Sequence, residues 1–159
     1  MTNNKQPTTK IGDLGEKLVS LWLESRDWEI LHHHWHCRWG ELDLIVRKKA
    51  INYLAFVEVK TRSQNNWDCD GLLAITTKKQ LKISRTAVTF LKQNSTFSEC
   101  FCRFDVALVN YQKQKYSDRQ LEQKQFTLIE SGYQFTLHQY LESAFDLCNN
   151  FNEQSTTNH

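Results

Sequence analysis

The sequence predicts one mixed α/β domain, on three observations. A 159-residue chain of 18.8 kDa suits a single core. Apolar residues recur at helical spacing near the start and again in mid-chain. Between and after these stretches the pattern switches to alternation, with β-branched and aromatic residues enriched. With 40% hydrophobic and 24% charged residues, five Gly and one Pro, the composition excludes collagen-like, low-complexity and wholly disordered chains.

The first helix is expected from a capping-box spacing of Asp13 and Glu16, followed by Leu14, Leu18, Leu21 and Trp22 on one stripe, and should run to about Arg26. Trp28 to Trp35 suggests a strand. From Gly40 a two-residue period puts Leu42, Leu44 and Val46 on one face and Glu41, Asp43 and Ile45 on the other. A short polar turn then leads into Tyr53 to Thr61, so the two strands read as a hairpin. Leu54, Phe56, Glu58 and Lys60 share one face of the second strand, which is apolar until Glu58.

Ser63 to Gly71 is loop-like, and the helix after it should be capped by Thr76 or Thr77, with Leu81, Val88 and Leu91 turned inward. Cys102 to Asn110 and Phe126 to Glu130 read as strands. Leu137, Tyr140, Leu141, Ala144, Phe145 and Cys148 have the spacing of a closing amphipathic helix. The predicted order is α-β-β-β-α-β-β-α in one domain over 11–148, with flexible polar tails at 1–10 and 149–159.

The net charge of +2 announces no partner, but it is unevenly spread: 15 Lys/Arg and 11 Asp/Glu lie in the first 100 residues, 5 and 7 in the rest. Gly71 to Ser98 holds five basic residues and no carboxylate. Lys78, Lys82, Arg85 and Lys92 fall on one side of the second helix; such a stripe is usually a solvated face, but the acid-free run tips it towards contact with nucleic-acid phosphates, with DNA the expected partner. Five cysteines without a CxxC pair, and no signal-peptide pattern, point to free thiols in a cytoplasmic protein. No apolar run approaches the roughly 18 residues of a membrane helix, so no membrane partner is expected.

Glu58 and Lys60, two apart on a strand, project from one face about 7 Å apart. Asp43 and Glu41 sit on the partner strand. Alone, Glu-Val-Lys on a strand is usually an exposed ion pair on a solvated sheet face. Here the preceding same-face residues are Leu54 and Phe56, so the charges belong to a core face, where they are normally paired or functional. Crowded carboxylates of this kind suit a hard cation such as Mg²⁺. His32, His34 and His36 would share a strand face and could bind zinc, although an unliganded strand is the plainer reading. Cys100 and Cys102 lack tetrahedral-site spacing and read as ordinary thiols, and Asp105 reads as a structural ion-pair partner.

Gly15-Glu16, Gly40 to Ile45 (GELDLI), Phe56 to Arg62 (FVEVKTR) and Arg103 to Val106 (RFDV) together resemble the YraN family, bacterial proteins related to Holliday-junction resolvases and restriction endonucleases. The resemblance spans roughly Ile11 to Asn110. It implies the restriction endonuclease-like, or PD-(D/E)XK, fold, with a central mixed sheet flanked by helices. It further implies an endonuclease hydrolysing DNA, with branched or structured DNA as substrate. Asp43, Glu58 and Glu16 would hold Mg²⁺, for which Mn²⁺ can substitute, and Lys60 would complete the catalytic set. Glu41 and Arg62 are accessory candidates. Resolvase-like relatives often dimerise, so a homodimer is the assembly it favours. A non-catalytic nucleic-acid-binding or scaffold protein on the same fold is the alternative. The chain departs from the pattern at His32-His33-His34-Trp35-His36, where relatives commonly carry Arg and Asn, and in the loop from Gln64 to Leu73, which lacks the usual Phe-Gly.

Overall fold

The structure, a computed structural model, describes residues 7–64, 75–115 and 125–147, with side chains from residue 10 onward. Two helices, α1 (Pro7–Glu24) and α2 (Thr77–Gln93), pack on a sheet of β1 (Glu29–Cys37), β2 (Gly40–Lys48), β3 (Tyr53–Ser63), β4 (Phe101–Lys113), β5 (Thr127–Glu130) and β6 (Tyr133–Phe145). The sheet order is β1-β2-β3-β4-β6-β5, with only β3 and β4 parallel. A parallel pair needs a crossover, which α2 supplies. This mixed sheet between helices is consistent with the restriction endonuclease-like fold.

Each helix covers one face of the sheet. Leu14, Leu18, Val19 and Leu23 of α1 meet Leu44, Val46, Ala55, Val57, Ala107 and Val109 on one side. Ile83, Ala87 and Phe90 of α2 meet Leu42, Ile45, Leu54, Phe56, Phe104 and Val106 on the other. β3 and β4 are therefore apolar on both faces, as buried central strands must be. Among the described residues, no helix is long and apolar enough to cross a membrane.

Three expectations change, while the Thr76 cap of the second helix is borne out. The first helix begins at Pro7, ahead of residue 11, so Asp13 and Glu16 lie mid-helix and do not cap it. The inward stripe of α2 is Ile83, Ala87 and Phe90; Leu81, Val88 and Leu91 are only half-buried. Thr76 caps this helix, its side chain accepting from the Lys79 N–H at 3.2 Å. The largest change is at the end of the chain, where the segment expected as a helix is strand β6. Register shifts opposite Phe104/Val106 and Leu108/Val109 insert extra β6 residues, moving successive apolar side chains from one face to the other. Leu137 and Tyr140 thus pack on the α1 side while Leu141, Ala144 and Phe145 pack on the α2 side, imitating helical spacing. The expected tails fall, apart from Pro7 to Lys10, outside the described residues, as do Cys69, Cys148 and most of the loop after Gln64.

Candidate metal and nucleic-acid site

The site begins where β2 and β3 part. Their antiparallel pairing runs from Lys48↔Tyr53 to Leu44↔Val57 and stops one residue short of Asp43. Beyond that point the Asp43 side chain replaces the missing strand contact, its Oδ2 accepting from the Val59 N–H at 2.8 Å. The same irregularity turns Leu42 into the α2-side core with Ile45, so Leu42 does not share a face with Leu44 and Val46 as simple alternation predicts. Asp43 lies at the opened seam, against Glu58 on β3.

Glu58 is 8% exposed and carries two lysines: Lys60 Nζ lies 3.3 Å from its Oε1, and Lys79 Nζ donates to the same oxygen. Asp43 sits close enough to share a hydrogen bond with Glu58. Burial and the Glu58 charge push the Asp43 carboxyl up to about 7, against the pull of the Val59 N–H and Lys79. Lys60 is held below the usual lysine value by burial and by the neighbouring Lys79 ammonium. Burial works the same way on Lys79, but its hydrogen bond to Glu58 outweighs it and the net shift is upward. A buried carboxyl, a half-buried one and two ammonium groups thus share one small volume.

Lys79 was not among the residues the sequence singled out. Its signal was the helix register: Lys79, Ile83, Thr86 and Phe90 lie at i, i+4, i+7 and i+11, so the true inward face carries Lys79 into the sheet at its first turn. The stripe of Lys78, Lys82, Arg85 and Lys92 flanks that face. Lys78, Lys82 and Lys92 are exposed, while the Arg85 guanidinium lies 5.2 Å from the ring centre of Trp39 in the β1–β2 turn. Arg62 is exposed, donating to the Thr61 carbonyl beside it.

Glu16 approaches from the opposite face of the sheet. A Cβ on Gly15 would lie 2.0 Å from Thr61 Oγ1, so only glycine lets α1 come this near β3. Glu16 Oε2 lies 2.8 Å from His34 Nε2, and Glu41 Oε1 lies 2.8 Å from Nδ1 of the same ring. Burial, then the Asp43 charge, raises Glu16 to about 8 although His34 pulls it down. His34 is raised above its ordinary value: burial opposes the charge, but the bond to Glu41 and the charges of Glu16 and Asp13 prevail.

His32 and His34 do not share a face. A register shift between Ile30 and His32 and a left-handed backbone at His34 (φ 49°) break the alternation. His32 packs edge-on against Phe90 on the α2 side while His34 reaches α1. Asp105 is structural: buried, it holds Arg103 Nε at 3.1 Å, the Tyr140 hydroxyl at 2.7 Å and the Ser143 N–H at 3.0 Å, pinning the irregular part of β6. Cys37, Cys100 and Cys102 are free thiols, and Cys102 Sγ contacts the Cys100 carbonyl oxygen at 3.6 Å.

Residues 15–109 match the family described as "Uncharacterised protein family UPF0102", which is the YraN family. The chain belongs to this family. A UPF0102 protein of Acaryochloris marina is 44% identical over 91% of this chain and 95% of its own length. UPF0102 proteins of Trichodesmium erythraeum, 45% identical over 84% of this chain and 87% of theirs, and of Nostoc, 48% identical over 86% and 94%, are similar over the same domain. The matched span takes in Gly15, Glu16, Asp43, Glu58, Lys60 and Lys79, so the whole buried cluster lies within the family domain.

Proposed function

We propose that this UPF0102 protein is a divalent-cation-dependent endonuclease that hydrolyses phosphodiester bonds in DNA, with branched or structured DNA as its substrate. The observation that carries this is the Asp43–Glu58 pair. Two carboxyls meet where strands β2 and β3 part, one raised to about 7 by burial and by its neighbour, and together form a hard oxygen donor set. This donor set fits Mg²⁺, with Mn²⁺ as substitute. Asp43 and Glu58 would hold the ion, with Glu16 reaching it through water. Bound there, the ion supplies a water of lowered pKa and neutralises charge on the scissile phosphate.

The chain's own residues do the remaining work. The Val59 N–H fixes one Asp43 oxygen and so orients the other towards Glu58. Lys60, half-buried with a depressed pKa, is placed to orient the attacking water and to stabilise charge developing on the phosphate. Lys79 holds Glu58, and an ion on Glu58 would free the Lys79 ammonium for phosphate. Lys78, Lys82, Arg85 and Lys92 contact the backbone of the nucleic acid without reading bases. A cytoplasmic location is part of the proposal, supported by the free thiols of Cys37, Cys100 and Cys102.

The Lys79–Glu58 pair is also the observation that favours the second reading, a nucleic-acid-binding or scaffold protein that does not turn over, because an ammonium already neutralises the carboxylate. Incubation of the purified chain with branched, nicked and single-stranded DNA in Mg²⁺ or Mn²⁺ separates the two. The endonuclease cuts at least one of these, and Asp43→Ala, Glu58→Ala and Lys60→Ala each lower cutting by at least about 100-fold. Normal binding of all three without cleavage establishes the non-catalytic protein.

A further inference from the structure

We propose that Asp13, Glu16 and His34 form a second cation position, one that takes a borderline divalent transition metal in preference to Mg²⁺. The donors come from two elements. Asp13 and Glu16, three apart on α1, share one helix face, and His34 reaches them from β1. Their ligand atoms lie within 4.8 Å of one another. His34 Nε2 is 2.8 Å from Glu16 Oε2 and 3.9 Å from Asp13 Oδ1. Metal–ligand bonds of about 2.1 Å hold their donors about 3 to 4 Å apart, so small side-chain rotations suffice to close the set.

Glu41 supplies the independent observation. Its Oε1 lies 2.8 Å from His34 Nδ1, on the side of the ring away from α1. A carboxylate on one imidazole nitrogen fixes the tautomer and turns the other nitrogen's lone pair outward, and metal-ligating histidines are held in this way. Here the outward nitrogen is Nε2, which faces the two α1 carboxylates. The four groups therefore have the arrangement carboxylate–histidine–metal with two further oxygen donors.

Ligand type sets the preference. An imidazole nitrogen adds to affinity for Mn²⁺, Co²⁺ and Zn²⁺ and is a poor partner for Mg²⁺, whereas the Asp43–Glu58 pair offers oxygen alone. The two positions thus differ in the ions they select. This position stands whether or not the chain cleaves DNA.

The test is a Co²⁺ titration of the untagged full chain in excess Mg²⁺, followed by visible absorption. Wild type should bind Co²⁺ and develop ligand-field bands. His34→Asn should weaken binding at least tenfold, and Glu41→Gln by about 10–100-fold, as expected for loss of an outer-shell partner. Asp43→Asn and the double variant His33→Asn/His36→Asn should leave the bands in place. Circular dichroism checks folding, and Asp13→Asn repeats the test if His34→Asn is unfolded. No Co²⁺ bands in wild type, an unchanged Co²⁺ affinity in His34→Asn, or loss of the bands in the His33/His36 variant overturns the proposal. Because the bands are read on His34 and Glu41 variants and cleavage is not read, failure here is distinct from failure of the nuclease assignment.

Discussion

Two carboxylate clusters stand on opposite sides of the β2 strand start, and each meets its crowding differently. In the first, Glu58 is buried and Asp43 half-buried, and Lys60 and Lys79 answer their charge. In the second, Asp13, Glu16 and Glu41 surround His34, with Asp13 and Glu41 open to solvent. Burial makes the first cluster costly to leave unpaired, so it needs permanent cations close by. Exposure lets the second be served by a side chain whose charge comes and goes. Glu16 links them, since its carboxyl is raised by Asp43 and lowered by His34.

Removing the oxygen donors of the first cluster should have the largest effect. Asp43→Asn and Glu58→Gln should each lower DNA cleavage by about three orders of magnitude, and Lys60→Ala by about 10²–10³-fold. His34→Asn should change cleavage in Mg²⁺ by less than about tenfold. Single-turnover rates on one DNA substrate decide the ranking, and an equal loss in His34→Asn would merge the two clusters into one functional unit.

The pH dependence of stability is the next largest effect. Folded Asp43 and Glu16 titrate at about 7 and about 8, against 3.8 and 4.5 unperturbed, so the folded chain binds more protons across that window. The stability they contribute is therefore fully present below about pH 4 and is lost as pH rises through 7 to 8. Metal-free thermal midpoints should fall over this range, and Mg²⁺ should raise the midpoint more at pH 8 than at pH 5. Asp43→Asn should flatten both trends.

Smaller changes sharpen the contrast. Gly15→Ala forces α1 away from Thr61 and should cost about 1–3 kcal/mol in chemical denaturation, by overpacking. Lys79→Ala frees Glu58 and should tighten Mg²⁺ binding measured by calorimetry; weaker binding would show that Lys79 supports the ion and does not compete with it. Removing Lys78, Lys82 or Lys92 singly should weaken DNA binding uniformly and reduce the salt slope by about one unit each.

The hairpin, the two central strands and the Glu58–Lys60 pair were legible because both signals are local: alternation, and charges ending an apolar strand face. What escaped the sequence has a common cause in broken periodicity. The extra residues of β6 counterfeit a helix, and the left-handed turn at His34 separates it from His32. Asp43 was legible as a carboxylate on the right strand, but its bond to Val59 depends on where two strands part. Lys79 was hidden by a different error. Choosing Leu81, Val88 and Leu91 as the buried stripe rotates α2 and places Lys79 outside, whereas Phe90 and Ile83 at the centre of the α2-side core place it inside. The Asp13–Glu16 spacing admits both a cap and a shared helix face, and only the position of the helix start distinguishes them.

The most direct test is a cleavage assay on a branched DNA with wild type and Asp43→Asn side by side, each in Mg²⁺ and in EDTA. Wild type should cut in Mg²⁺ alone, with Asp43→Asn inactive in both conditions yet binding the DNA normally. Cutting that survives Asp43→Asn or EDTA, or binding without any cutting by wild type, would contradict the endonuclease assignment.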